Sequence, residues 1–187
     1  MKDFFPPEWE KVVDSGGGWV ILPRSAERLV YFLSTYEHTI DAKNRLALPA
    51  EVRSIVNEKV HGEGWVAGPG PNVLLTLWPT QTFERMLDPY SKDALGNAEI
   101  GDWRTMLYRH SARLDMDSAG RIRIPDRLRR MFGLNSNVVI LGAGESLELM
   151  DAEQWKVQEQ LDLSVISATW KKASMARNAA RPEAANR

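Results

Sequence analysis

Residues 114 to 130 read LDMDSAGRIRIPDRLRR. Two carboxylates and a glycine lead directly into five arginines, and that combination could serve three chemistries. Carboxylates spaced along a loop can hold a divalent cation, paired carboxylates near a histidine can move protons, and arginines beside a tight turn can grip a nucleic acid. The metal reading has Asp115, Asp117 and Asp126 at positions one, three and twelve of a calcium-type loop, with Gly120 at six. It fails at position five, where Ala119 stands in place of Asp or Asn, and its flanks alternate like strands where such a loop needs helices.

Catalysis finds little support. The three histidines are His38, His61 and His110, and there is no G-x-S-x-G nucleophile motif. His38 falls on the inward register of its strand, which predicts a partly buried structural histidine. Asp41 and Asp117 could pass for an acid pair, yet each has a sufficient role in forming a turn. The glycine-rich GPGPN (68–72) and GAGE (142–145) lack dinucleotide spacing and fall where loops between strands are needed. No enzyme, cofactor, metal or small-molecule substrate is therefore expected.

The grip remains. Arg121, Arg123, Arg127, Arg129 and Arg130 crowd together with Asp126 as the only nearby acid, and Lys43, Arg45 and Arg53 mark an earlier stretch. A guanidinium can bond bidentately to a guanine edge or a phosphate, and a two-stranded ribbon fits a major groove. The competing reading is a solvated strand face whose arginines pair with local acids. Composition leaves these two even.

The elements that would position these side chains come from an internal repeat. TYEHTIDAKNRLALPAEVRSIV (35–56) aligns without a gap on SARLDMDSAGRIRIPDRLRRMF (111–132), so that Asp41 matches Asp117, Arg45 matches Arg121, Pro49 matches Pro125 and Arg53 matches Arg129. Looser similarity continues into the stretches that follow. Each copy predicts strand, turn, strand, short helix, strand, turn, strand, helix. Period-two alternation puts Leu46, Leu48, Ile122 and Ile124 inside and the arginines outside. Asp41 and Asp117 open the turns by accepting backbone N–H bonds. Gly120 takes the left-handed position, and Asn44, the next most tolerant residue, takes it in the first copy. Gly133 suits a helix C-cap, Thr80 and Asp151 suit N-caps, and GDWRTMLYRHS reads as a helix between the copies. A hairpin with one short helix cannot bury a full core, so the copies are expected to complete one another by interleaving strands.

Composition sets outer limits. The chain has 187 residues, 43% hydrophobic and 26% charged, the range of a soluble globular protein. No apolar window is long enough for a membrane span, and the N-terminus lacks a signal-peptide core. The absence of cysteine excludes disulfides and thiol chemistry and fits a reducing cytoplasm. With a net charge of −1, nucleic-acid binding must rest on a local patch. Seven tryptophans are read as packing residues.

The two copies, carried by DAKNRLALP and DSAGRIRIP with their tandem Asp-x-x-x-Arg signatures, resemble the MraZ family of the AbrB/SpoVT swapped-hairpin group. The resemblance covers residues 35 to about 160. It implies an α+β fold in which two tandem AbrB-like swapped-hairpin modules form a small double-split β-barrel flanked by short helices. It implies a cytoplasmic, nucleoid-associated transcriptional regulator, a repressor binding double-stranded DNA at short direct repeats upstream of the division and cell-wall genes. It also implies self-assembly into rings. Arg45 and Arg121 would carry DNA contact with Lys43 helping, and Asp41 and Asp117 would hold the turns. Arg123, Arg127 and Arg129 are added on charge alone. The alternative is a protein-interaction scaffold of the same fold without DNA binding. Asn44 departs from the family's usual glycine. The expected organisation is an irregular extension over 1–32, a first repeat over 33–98, a linking helix and second repeat over 99–168, and a basic flexible tail over 169–187.

Overall fold

The computed structural model describes residues 31–93 and 96–179, together with the backbone of two strands further upstream. In chain order the elements are β1 (Trp9–Val13), β2 (Trp19–Pro23), β3 (Thr35–Thr39), β4 (Arg45–Ala47), α1 (Ala50–Ile55), α2 (Glu58–His61), β5 (Trp65–Pro69), β6 (Leu75–Pro79), α3 (Thr80–Asp93), α4 (Ala98–Arg109), β7 (Ala112–Leu114), β8 (Arg121–Arg123), α5 (Asp126–Met131), β9 (Asn137–Gly142), β10 (Leu147–Asp151) and α6 (Ala152–Ala179). The fold is mixed α+β with antiparallel sheets. The repeated order of elements expected for each copy is present, with α2 added in the first copy and α4 between the two.

Strand pairing crosses between the copies. The six-stranded sheet runs β3-β9-β10-β6-β5-β7. Thus β3 of the first copy pairs with β9 of the second, and β7 of the second pairs with β5 of the first. The two hairpins meet at β10 and β6, with Leu147 opposite Leu77 and Leu149 opposite Leu75. A separate ribbon joins β4 to β8, Leu46 opposite Ile122. Single bridges, Ile40 to Leu46 and Met116 to Ile122, link that ribbon to the chain leaving β3 and β7.

This exchange supplies the core that one copy lacks. Leu46, Leu48, Val52, Trp65 and Leu75 from the first copy pack in one cluster with Leu114, Ile122, Ile124, Leu128 and Leu149 from the second. Leu46 and Ile122 are both fully buried, as the alternation in β4 and β8 predicts. Burying side chains of this size stabilises by about 1.5–3 kcal/mol each, so the shared interior holds the ribbon in place. In a second cluster, Val66 of β5 and Trp78 of β6 pack with Phe83 and Leu87 of α3 and Leu107 of α4.

Local signals account for the ends of the helices. Pro49 and Pro125 occupy the N-cap positions of α1 and α5. Gly133, at φ 63°, follows α5; its N–H reaches Arg130 O and the Leu134 N–H reaches Arg129 O, the double bond of a Schellman ending. Asp151 Oδ1 accepts from the Glu153 N–H at 3.0 Å and so caps α6. Thr80 begins α3, and its hydroxyl donates to the Glu63 carbonyl at 2.9 Å, so it ties that helix to the preceding loop. Asn97 caps α4, whose start lies upstream of the expected helix.

The ends of the chain differ from expectation. Where an irregular extension is expected over 1–32, β1 and β2 pair as an antiparallel ribbon, Val12 opposite Val20. Phe32 is buried, exchanges backbone bonds with Gly144 and lies 5.7 Å from the Trp65 ring. An aromatic residue anchored in this way belongs to the repeat body. At the other end, α6 continues to Ala179 where a flexible tail is expected from 169. The alanine, lysine and methionine of that stretch are helix formers, so low hydrophobicity there does not mean irregular chain. The remainder of the expected tail, 180–187, lies outside the described residues.

Candidate nucleic-acid interface

The Asp-x-x-x-Arg signature is a closed unit within each turn. Asp41 Oδ1 accepts the backbone N–H of Lys43 and of Arg45, both at 2.8 Å. Asp41 Oδ2 receives Arg45 Nε at 2.7 Å and Nη2 at 2.7 Å. The second turn repeats this arrangement. Asp117 Oδ1 accepts Ala119 N–H and Arg121 N–H at 3.0 Å, and its Oδ2 receives Arg121 Nε and Nη2 at 2.9 Å. One carboxylate thus shapes the turn and aims the guanidinium. Both the turn role and the competing expectation of arginines paired with local acids are realised here, by the same side chains.

These ion pairs alter the carboxylates. The backbone N–H and the guanidinium of Arg45 hold Asp41 down at about 2. The Arg121 guanidinium, followed by its backbone N–H, lowers Asp117 as well. Both aspartates are therefore charged at neutral pH, and each pair is neutral overall. The pairs are also open to solvent: the side chains of Arg45 and Arg121 are 33% and 37% exposed, so the guanidiniums are not sealed inside. Nε and Nη2 of each arginine face its aspartate.

Ribbon register gathers the remaining charge. Arg45 lies opposite Arg123, and Ala47 lies opposite Arg121. Because Leu46 and Ile122 point inward, Arg45, Arg121 and Arg123 share the outer face. Ala47 stands where the repeat would place a fourth arginine. Arg123 is exposed, as are Lys43 in the first turn and Arg130 on α5. An exposed ribbon with three guanidiniums on one face can bond to phosphates or to base edges in a groove.

Two of the expected contact residues are occupied within the fold. Arg129 Nε donates to Leu134 O at 3.0 Å and its Nη1 to Asn44 Oδ1 at 2.8 Å. Arg127 Nη1 donates to Arg109 O at 3.1 Å, which ties α5 to the last turn of α4. Charge counting cannot separate such arginines from the outer ones, because it carries no direction.

Asn44 has a further role that the sequence reading missed. It holds φ 60°, and Gly120 holds φ 74° in the matching place, as expected. Asn44 is also buried, and its Nδ2 donates to Asp126 Oδ1 at 2.6 Å across the two copies. Its counterpart Gly120 lies beneath Arg53: a Cβ there would come within 2.6 Å of Arg53 Cδ. The signal was available in the repeat. The turn with Asn bonds to Asp126 of the other copy, and at the position that aligns with Asp126 the first copy has Ala50, which cannot make such a bond.

The other chemistries are dispersed. Asp117 is committed to Arg121 and Asp126 to Asn44, and among the described residues no three His, Asp or Glu side chains gather as a metal site. His38 sits half-buried on β3 opposite Val138. Among the described residues no helix is long and apolar enough to cross a membrane.

An α+β body with a cationic ribbon drawn from two tandem copies defines a tandem hairpin-repeat protein. Comparison with known proteins narrows this class. Residues 107–178 match the family described as "MraZ protein, putative antitoxin-like". The chain is 30% identical to the transcriptional regulator MraZ of Mycoplasmoides gallisepticum over 125 residues, 67% of this chain and 84% of that protein. It is 32% identical to the protein of that name from Cutibacterium acnes and 34% to that from Roseiflexus sp., with the same coverage of each. The chain belongs to the MraZ family. These relatives are named as transcriptional regulators and not as enzymes.

Proposed function

We propose that this chain is a sequence-specific DNA-binding transcriptional regulator whose reading element is the β4–β8 ribbon. The observation that carries the proposal is the register placing Arg45, Arg121 and Arg123 on one exposed face, two of them aimed by an aspartate in their own turn. Lys43 beside the first turn adds a phosphate contact. Arg127 and Arg129 act by holding α5 and the Asn44 turn in place. In this reading the single bridges close the ribbon onto the six-stranded sheet as a double-split barrel of swapped hairpins, which fixes the ribbon's angle to a groove. The relatives' name supports the regulator class. The finer reading is a cytoplasmic, nucleoid-associated repressor that assembles into a ring and engages short direct repeats upstream of the division and cell-wall genes. The net charge of −1 favours such an assembly, because one protomer offers few phosphate contacts.

The test is fluorescence anisotropy at fixed salt, using DNA from immediately upstream of the chain's own gene. Arg45→Ala and Arg121→Ala are each expected to weaken specific binding by about 1–3 kcal/mol while leaving the fold intact. Binding unchanged in both variants would remove the ribbon from the mechanism. Affinity should also fall steeply as salt rises; an interaction scaffold without DNA binding would show neither effect.

A further inference from the structure

Beyond its first two turns, α6 has none of the described residues of this chain packed over it. Ala152 and Trp155 pack on Val139, Leu141 and Met150 of the sheet, but every residue from Glu159 to Arg177 is exposed. The projecting part spans roughly 28 Å at the rise of an α-helix. It carries large apolar side chains in the open: Leu163 is 70% exposed, Ile166 63% and Trp170 76%. A helix so apolar is ordinarily covered, because most helical stability in proteins comes from packing an apolar face.

Sequence spacing says how it is covered. Glu159, Leu163, Ile166, Trp170, Ala173 and Arg177 recur at alternating steps of four and three, the spacing of a coiled-coil seam. The charges along α6 are separated. Its acids are Glu153, Glu159 and Asp162, with none from there to Ala179, while Lys171, Lys172 and Arg177 occupy the far half. A parallel pair would set acid against acid and base against base. An antiparallel pair centred near Ala168 places Glu159 against Arg177, Leu163 against Ala173 and Ile166 against Trp170. Opposite charges then close both ends, and a small residue faces a larger one in the outer apolar layers.

We infer that the projecting half of α6 is a self-docking surface, and that its occupant is the same segment of a second copy lying antiparallel. The contact is two-fold symmetric, so each such contact joins two chains and with them two β4–β8 ribbons, and a ring is built through a separate contact elsewhere on the body. It does not depend on DNA binding and is tested without DNA.

The chain has no cysteine, so single thiols can report the geometry. Full-length Leu163→Cys and Ala173→Cys proteins are treated with a short bismaleimide, separately and as an equimolar mixture. Cross-linked dimer is expected in the mixture and expected to be lost from Ala173→Cys alone. Dimer in Ala173→Cys alone indicates a parallel pair, and no cross-link in any sample indicates no pair; either result overturns the inference. As a second measurement, Glu159→Arg should weaken self-association in sedimentation velocity by about tenfold, counting two symmetry-related exposed pairs. Adding Arg177→Glu should restore it. Absence of rescue, with helicity retained by circular dichroism, also overturns the inference. Unchanged DNA binding in any of these variants leaves the function of the ribbon standing on its own test.

Discussion

At one ribbon turn a buried asparagine is held between an aspartate and an arginine of the other copy; at its counterpart a glycine lies beneath an arginine, with an alanine where that aspartate would be. Both turns hold the same left-handed backbone and the same Asp–Arg pair. What differs is how each turn is fastened to the helix that faces it. The first fastening is polar and has several partners, so removing one member strands the others. The second is a close approach between backbone and a flexible side chain, which tolerates adjustment. The repeat preserves the charged outer device and lets the inner fastening vary, provided that both sides of it change together.

The comparison can be broken most severely at the part both turns share. Leu46→Ala or Ile122→Ala should each cost about 2–5 kcal/mol in chemical denaturation, with one cooperative transition, because each side chain sits in the same joint core. Two separate transitions would show that the copies fold independently. Asn44→Gly keeps the backbone conformation but leaves Asp126 and Arg129 without that partner, an expected loss of about 1–3 kcal/mol. Adding Asp126→Ala should make the total loss smaller than the sum of the single changes, read from a double-mutant cycle. Gly120→Asn, the reverse exchange, should cost less, because the Arg53 side chain can swing away; a loss as large as that of Asn44→Gly would argue against the asymmetry.

A finer distinction lies in pH. Asp41 titrates at about 2 in the folded chain, against a usual value of 3.8. When the folded value is depressed, the stabilisation is complete above the unfolded value and fades as pH falls from about 4 toward 2. Asp41→Asn should therefore be less stable than the parent at neutral pH, with the difference vanishing by about pH 2 in acid denaturation. Asp117 is lowered in the same direction, so Asp117→Asn should lose its deficit across the same acidic side of the scale. The smallest effect concerns Lys43→Ala, at a place where the second turn has alanine. Removing one phosphate contact should reduce the slope of log affinity against log salt by about one per protomer.

Much of this is legible in the sequence. The gapless repeat gave the order of elements, because period two and the turn residues act locally: Asp41, Asn44, Asp117 and Gly120 each need only their neighbours to declare a turn. The inward register of Leu46 and Ile122 followed from the same alternation. Strand exchange was foreseeable only as a need, since two small hairpins cannot each bury a core; which strand pairs with which is a long-range choice that spacing does not encode. The arginines divide along the same line. Arg45 and Arg121 carry their partner four residues away, within reach of sequence reasoning. Arg129 finds Asn44 across 85 positions, and Arg127 finds the end of α4, so charge alone grouped them with the outer face.

The exchange of β3 and β7 also bears on the chain's covalent continuity. A half-length polypeptide with one copy would have to meet another to obtain its missing neighbour strand, and its folding would depend on dilution. Linking the halves turns that encounter into loop closure, whose entropic cost grows only slowly with tether length. Two such units on one backbone are inherited together, and a change on one side of a contact can be matched on the other without altering both halves of a symmetric pair.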